Sequence, residues 1–550
     1  MTKNQLKNDK RINWGTQLLL VLAAAVLFAL SFPNLIFENG LPFFAWFAFI
    51  PVLVLIDKNT FLACAGLGAV YGVMVYSLFN YWLGAFHPLA GAITYSIYLG
   101  YMVIVFSLFK LAGVLFPKRA YIVQWLIWLS YEYLRTRGFV GYSFGLTGYS
   151  QWRFIPLIQI ASITGVWGVC ALVTFPSFWL AAALKDFSRD GGIKGIGFAV
   201  SSFFQKEKIS ASVWAAALAA SLVFGLAVNK DFSSCPKVNI ALIQHNTDPW
   251  EASKAANKML VLEAYRKDLT VLKRLSDEAL AAAPGLQLVV WPETAFVPRI
   301  YWHTIFRDSQ DFWLPVKELL EYLSAKETPF LIGNDDARME PSKNPNESER
   351  YRVDYNAAIL FEKGQIAGVY RKLHLVPFTE HFPYKKQLPF IYNMLKKADT
   401  HFWEKGKEET VFKMPDFTFS TPICFEDTFG YLSRNFVRGG ADVLINLTND
   451  AWSNSLPAQN QHLSTAIFRA VENNRSMLRA TISGQTCVIA PNGRIIRMAK
   501  PFSEAWISAE VPIVKKTTIY TLYGDYLAFV FIFLAAAMLI SRALWSTIKR

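Results

Sequence analysis

TFSTPICFED, residues 418–427, decides the fold. A β-rich run ends in Pro422, Ile423 and a cysteine, and two carboxylates follow at once. Similar runs lie on both sides: KVNIALIQHN (237–246), LQLVVWPETA (286–295), TPFLIGND (328–335), NAAILFEKG (356–364), ADVLINLTND (441–450) and TCVIAPNGRII (486–496). Each is bounded by turn residues, the pattern of short buried strands. Helical periodicity fills the gaps near 254–282, 314–326, 429–438 and 459–474. Strands interleaved with helices predict a layered α/β domain over 236–512, long enough for a core of its own. Glu362-Lys363-Gly364 and Pro491-Asn492-Gly493 read as tight turns between strands. RMEPSKNPNESER (338–350) reads as a surface loop, and no repeat of 20–50 residues is visible.

Outside this region the chain changes character. Of its 550 residues, 53% are hydrophobic and 17% charged, whereas soluble domains carry roughly 25% charged residues. Residues 236–512 hold 33 Lys+Arg and 32 Asp+Glu, so nearly all of the +14 net charge lies in the apolar parts. That placement argues for membrane-flanking basic loops and against nucleic acid. Apolar runs near 14–32, 41–57, 61–84, 89–116, 120–134, 154–184, 209–228 and 523–546 predict eight membrane helices, with a kink near Pro176. The first reads as a retained anchor, too long for a cleaved signal peptide.

This divides the chain into a membrane domain at 1–235, the α/β domain at 236–512, and a last helix with its tail at 513–550. Lys and Arg cluster in the N-terminal tail, at 118–119, in the 185–208 loop and at the C-terminus. All fall on one side of an eight-span chain, which orients residues 236–512 away from the cytoplasm. Only Arg135, Arg137 and Arg153 break the pattern. Glu132, deep in YEYLRTR, reads as a helix-end carboxylate paired with Arg135. GGIKGIGF (191–198) follows no strand and reads as a flexible connector rather than a phosphate loop.

Three strings carry chemistry. VVWPETAF holds Glu293, YRKLHLVPFTEHFP holds Lys372 and Glu380, and STPICFEDTFG holds Cys424 and Glu426. A thiol, a carboxylate and an amine are what covalent acyl transfer requires: a nucleophile, a base for its proton, and a cation for the oxyanion. Taken singly, each residue reads as an ordinary buried cysteine, turn carboxylate or solvated lysine. The five cysteines form no C-x-x-C pair, and their odd number leaves at least one thiol free. The seven histidines show no ligand spacing, so no metal or other cofactor is expected. Asn446-Leu447-Thr448 ends a buried run and is a poor glycosylation site.

Glu, Lys and Cys in this order, in WPE, YRK-x-HLVPF-x-E and C-F-E contexts, resemble the nitrilase (carbon–nitrogen hydrolase) superfamily. With membrane segments on both sides, the chain resembles the apolipoprotein N-acyltransferase family. NLTNDAW (446–452) with Gln461-His462, and the string from Glu132 to Gln151 with GLTGYSQ, extend the resemblance over nearly the whole chain. It implies an α-β-β-α sandwich in which Glu293 is the general base, Lys372 the oxyanion stabiliser and Cys424 the nucleophile. Glu380 and Glu426 would support the site. Phe425 stands where the family often has Tyr, which leaves a packing role. Trp250 matches a family tryptophan loosely, and Trp250, Phe425, Trp302, Phe306 and Trp313 are the candidate substrate-binding residues.

The reaction implied is transfer of a fatty acyl group from a phospholipid, through a cysteine thioester, to the α-amino group of a diacylated apolipoprotein. It would take place at the outer face of a bacterial inner membrane, in contact with the lipid bilayer. The aromatic stretch 296–315, with Trp302, Phe306 and Trp313, reads as an arm or lid over the site. A membrane-tethered amide or nitrile hydrolase would use the same three groups but would not need eight spans. A transporter with a binding domain would place more ionisable residues in the spans than this chain does.

Overall fold

A computed structural model describes residues 12–86, 88–185, 192–228, 231–248, 258–341, 350–397 and 402–548. The chain forms two compact units, Val228–Gly524 and the combination of Met1–Ala227 with Asp525–Arg550.

The Val228–Gly524 unit is built on two six-stranded sheets. In the first, the order is β12 (Ala505–Pro512), β1 (Lys237–Gln244), β2 (Leu288–Val290), β3 (Phe330–Pro341), β4 (Arg350–Glu362) and β5 (Gln365–Arg371). In the second it is β11 (Ile495–Met498), β10 (Cys487–Ile489), β9 (Ser476–Thr481), β8 (Val443–Thr448), β7 (Thr418–Ser420) and β6 (Phe412–Lys413). Both sheets have three parallel strands, β1-β2-β3 and β7-β8-β9, continued by two antiparallel ones and closed at the other edge by an antiparallel strand. The arrangement is thus used twice without any repeat in the sequence.

Ala241, Ile243, Val289 and Ile332 face the Lys258–Ala282 and Gln310–Ser324 helices in one core. Ile240, Leu242, Leu288 and Val290 alternate with them and are equally buried. A strand buried on both faces loses its polar alternation, so these segments read as continuous apolar runs. Helices Gly430–Arg438 and Leu456–Asn473 cover the second sheet, giving an α-β-β-α sandwich. The latter helix is buried at every position after Leu456 although it carries Gln459, Gln461, His462, Arg469 and Glu472. Both expected turns are present: Lys363 (φ 48) and Gly364 (φ 76) join β4 to β5, and Gly493 (φ 85) lies between β10 and β11. The polar stretch 338–350 contributes the end of β3 and the first residue of β4, and 342–349 lie outside the described residues.

The other unit is helical. Among the described residues, six helices are long and apolar enough to cross a membrane: Trp14–Ser31, Phe61–Phe79, Leu89–Leu115, Val166–Ala183, Gly195–Val228 and Tyr526–Trp545. The remaining expected spans are shorter or broken. Residues 41–57 form a 3-10 turn, Pro42–Trp46, and a seven-residue helix, Ile50–Ile56. Ala120–Leu134 has 15 residues. The 154–184 run breaks at Gly165 (φ 66), and the helix that follows runs on through Pro176. GGIKGIGF is not a connector: from Gly192 it begins the Gly192–Val228 helix, whose local break falls at Glu207.

Glu132 and Arg135 attract each other but form no hydrogen bond or close ion pair. The Glu132 Oε1 accepts from the Thr147 N–H (2.7 Å) and hydroxyl (2.5 Å). Arg135 donates to the Tyr98 hydroxyl and to the carbonyls of Tyr142 and Phe144. The chain folds back on itself after the helix, so a partner 15 residues away displaces the neighbour one turn on.

Phe61–Phe79 packs tightly on Pro88–Leu115 through Gly68 and Gly72, a small-x-x-x-small pair. A Cβ on Gly72 would lie 2.5 Å from the Tyr98 carbonyl oxygen, and one on Gly68 would overlap that of Met102. Gly72→Val should therefore force the helices apart and destabilise the detergent-solubilised protein by about 1–3 kcal/mol. Thermal unfolding will show an unchanged transition if this contact does not matter.

Candidate active site

Glu293 leaves the end of β2. The backbone from Pro292 to Thr294 passes directly over Gly333 of β3, where a Cβ would lie 2.7 Å from Glu293 Cα. Only a residue without a side chain admits this approach. The carboxylate is nearly buried and fully engaged. Oε1 accepts from Asn356 Nδ2 (2.8 Å) and lies 3.4 Å from Lys372 Nζ, and Oε2 accepts from the Asn449 N–H (2.8 Å).

Lys372 follows the last residue of β5. Its N–H donates to the Asn356 carbonyl (2.9 Å), and its own carbonyl accepts from Gly406 N–H (2.8 Å). The ammonium is fully buried, 2.8 Å from Glu380 Oε1, while Glu380 Oε2 accepts from Val376 N–H. Burial alone would lower the Lys372 pKa. Glu380 and then Glu293 more than reverse this and hold it raised.

Cys424 opens a 3-10 turn, Cys424–Thr428, four residues past the end of β7 at Ser420. Its backbone is left-handed, φ 52, which costs a non-glycine residue about 1–2 kcal/mol. Asn446 Nδ2 on β8 braces the turn by donating to the carbonyls of Pro422 and Cys424, both at 3.1 Å. Burial, then the Glu293 carboxylate, push the thiol well above its ordinary range, and Lys372 opposes them. Glu293, Lys372 and Cys424 come from the ends of β2, β5 and β7, and their side chains act on one another as a single cluster.

Glu426 is a clamp. Its Oε1 accepts from the N–H groups of Leu373 (2.7 Å) and His374 (2.8 Å), and its Oε2 accepts from Ile423 N–H (2.7 Å). The Tyr370 hydroxyl lies within 2.9 Å of both oxygens. One carboxylate thus ties the segment carrying Lys372 to the turn carrying Cys424. Burial raises its pKa to about 7, against the opposing N–H donors of Ile423 and His374.

The aromatic residues expected to meet substrate are spread over separate contacts. Phe425 packs edge-on to Phe429 (4.9 Å between ring centres) and beside His374. Trp302 stacks with Phe306 at 4.3 Å and donates to Asp308. Trp313 packs against the helix-side core of the first sheet, with Arg307 over its ring. Asn334 fastens the start of the 296–315 stretch through the carbonyls of Phe296 and Pro298 and the N–H of Ile300. Trp250 lies outside the described residues.

Sequence reasoning passed over the amides that aim Glu293 and brace Cys424: Asn356, Asn446 and Asn449. It also missed a buried charge cluster of Asp427, Asp450, His462 and Arg479. The first three stand in strings already singled out, and that was the available signal. Arg479 stands in β9, a strand the reading did not identify.

Two mixed sheets with helices on both outer faces, and these three groups at the strand ends, define a nitrilase-type domain. The carbon–nitrogen hydrolase family model matches residues 239–517, and the model of the apolipoprotein N-acyltransferase N-terminal domain matches residues 24–179. Apolipoprotein N-acyltransferase 1 of Treponema denticola is 43% identical over 529 residues, covering 94% of each chain. Apolipoprotein N-acyltransferase 1 of Treponema pallidum is 42% identical over 518 residues, 92% of this chain and 91% of the relative. The apolipoprotein N-acyltransferase of Geobacter metallireducens is 29% identical over 526 residues, 93% of this chain and 92% of that one. This chain belongs to the apolipoprotein N-acyltransferase family.

Glu426→Gln puts an NH2 group against at least one backbone donor and leaves that N–H unpaired, a loss of about 1–3 kcal/mol. Thermal unfolding should fall accordingly, and a variant as stable as the parent would show that the clamp carries no load.

Proposed function

We propose that the protein transfers a fatty acyl group from a membrane phospholipid to the N-terminal amine of a diacylated apolipoprotein. The observation that carries this reading is the junction of Glu293, Lys372 and Cys424 at adjoining strand ends, in a chain of this family. Glu293 takes the Cys424 proton as sulfur attacks the ester carbonyl of the phospholipid. The N–H donors of Asn356 and Asn449 keep its carboxylate aimed. Lys372, already within 3.4 Å of Glu293, stabilises the oxyanion. The tetrahedral intermediate collapses, Glu293 returns the proton to the leaving glycerol oxygen, and lysophospholipid departs.

A thioester on Cys424 remains. The α-amino group of the S-diacylglyceryl cysteine attacks it, Glu293 accepts a proton from that nitrogen, and the C–S bond breaks. The thiolate takes up a proton and the amide product leaves. A thioester is reactive enough toward an amine that no nucleotide or acyl carrier is needed.

The apolar helices support a multi-pass membrane setting. On this reading 1–235 and 513–550 anchor residues 236–512 on the periplasmic face of the inner membrane. Moving an acyl chain into water costs about 0.8 kcal/mol per CH2, so a thiol held at the bilayer surface avoids most of the barrier to substrate transfer.

Full-length protein in detergent, incubated with phospholipid, should gain one hydroxylamine-labile fatty acyl group on Cys424, visible by mass spectrometry and discharged by a diacylated lipopeptide. Cys424→Ala should abolish the adduct. Glu293→Gln and Lys372→Ala should each slow its formation by about 10²-fold or more. An adduct at another residue, or a product released to water and never to the amine, would refute the transferase reading.

A further inference from the structure

Beneath the Cys424 turn, four buried side chains close a ring. His462 Nε2 lies 2.8 Å from Asp427 Oδ1, and His462 Nδ1 lies 2.8 Å from Asp450 Oδ1. Arg479 donates to Asp450 Oδ2 (3.0 Å) and to Asp427 Oδ2. Each cation therefore binds both carboxylates, and each carboxylate binds both cations. None of the four is more than 4% exposed. The Leu456–Asn473 helix supplies His462 and β9 supplies Arg479.

Both ring nitrogens of His462 face carboxylate oxygens at hydrogen-bond distance. A neutral imidazole has one N–H, so its second nitrogen would turn a lone pair on a carboxylate. An imidazolium donates twice and balances the ring at two positive and two negative charges.

The other ionisable groups bearing on the ring are few. Arg479 disfavours the charged imidazole. Cys487 on β10 lies near Arg479 and both aspartates, and Cys424 acts on Arg479 from the turn above. On the same helix, Arg469 and Glu472 pair with each other at 2.8 Å. Burial works against the charged form, but Asp427 and Asp450 outweigh it and raise the His462 pKa to about 9.

The ring joins the two turns that the chemistry needs. Asp427 stands three residues after Cys424 in the same 3-10 turn. Asp450 is adjacent to Asn449, whose N–H holds Glu293 Oε2. We propose that His462 is a positioning residue, an imidazolium at neutral pH that locks the nucleophile's turn to the turn aiming the base, and so fixes Cys424 against Glu293. This rests on the reading of Cys424 as the nucleophile. Without that charge the ring carries a net negative charge. Asp427 and Asp450 then share Arg479 alone, Asn449 shifts, and a carboxylate that already raises the Cys424 pKa loses one of its two counter-ions.

The test is the pH dependence of Cys424 alkylation by iodoacetamide in the detergent-solubilised full chain, read by peptide mass spectrometry. It needs no acyl donor, so it can succeed or fail apart from the transferase reading. His462→Asn should move the alkylation midpoint upward by about one pH unit. It should also cut the rate of acylation by phospholipid about 10²-fold, with KM changed less than about twofold. The charge-balanced double variant His462→Asn with Asp450→Asn should bring the midpoint back toward that of the parent, which a packing role would not do.

A His462→Asn profile matching the parent would overturn the proposal, as would equal shifts in the single and double variants. If the variants do not fold, 15N-histidine labelling of the parent decides. One histidine protonated on both nitrogens at about pH 8 supports the proposal, and none overturns it.

Discussion

A buried ammonium holds this site together. Lys372 is enclosed, and an isolated cation in such a place costs several kcal/mol even after the surroundings relax. It is tolerated because Glu380 and Glu293 stand on either side of it. That requirement constrains three stretches of chain at once. β5 must end where Nζ reaches both carboxylates. The loop to Glu380 must turn back within eight residues. β2 must bring Glu293 over a glycine. A break in any one of these leaves a charge buried without its partner, so the geometry is kept by its own electrostatic penalty.

The cysteine is fixed by different means. Its turn is left-handed and needs outside support, which Asn446 gives to the carbonyls and Glu426 gives to the preceding N–H. Glu426 also holds the two N–H groups after Lys372. The two halves of the site sit on different sheets, and this one side chain spans them. The repeated sheet arrangement explains why this is possible. Parallel strands leave their carboxyl ends on one edge, where turns and polar ends gather without disturbing either core.

The three strings around Glu293, Lys372 and Cys424 were legible because each combines an apolar strand with a polar residue just past its end. The side chains that hold these three in place were not legible. Asn356 sits inside a strand run, and Asn446 ends one, where a polar residue usually means only a turn. Arg479 lies in SMLRAT, a short strand whose central arginine breaks the apolar pattern, and the arginine is buried only because Asp427 and Asp450 meet it there. Strand β12 was missed because its alternation is interrupted by Glu510, at a sheet edge where its only paired strand is β1. In the helical unit, composition could not tell a spanning helix from one broken by a left-handed glycine. The same 154–184 run gives two short helices and one long one because Gly165 adopts φ 66. Glu132 found Thr147 because the following loop folds back, and no local rule predicts that.

The charge state of the resting thiol follows from the same arrangement. A thiolate held permanently in a small apolar pocket would need an excess of positive charge, as beside a helix N-terminus or a lone histidine. Here Lys372 is already committed to two carboxylates, and the net field at sulfur favours the neutral form. On the proposed mechanism, ionisation is coupled to the attack itself: as the proton passes to Glu293, the negative charge would leave sulfur for the substrate oxygen, and Lys372 would exchange part of one carboxylate for that new anion. The lysine's divided attachment at rest, 2.8 Å to Glu380 and 3.4 Å to Glu293, is what makes such an exchange cheap. The longer contact is the one given up when Glu293 becomes protonated. On that proposal, a site wired in this way would react when an acyl group is in place and would keep the proton on sulfur when it is not.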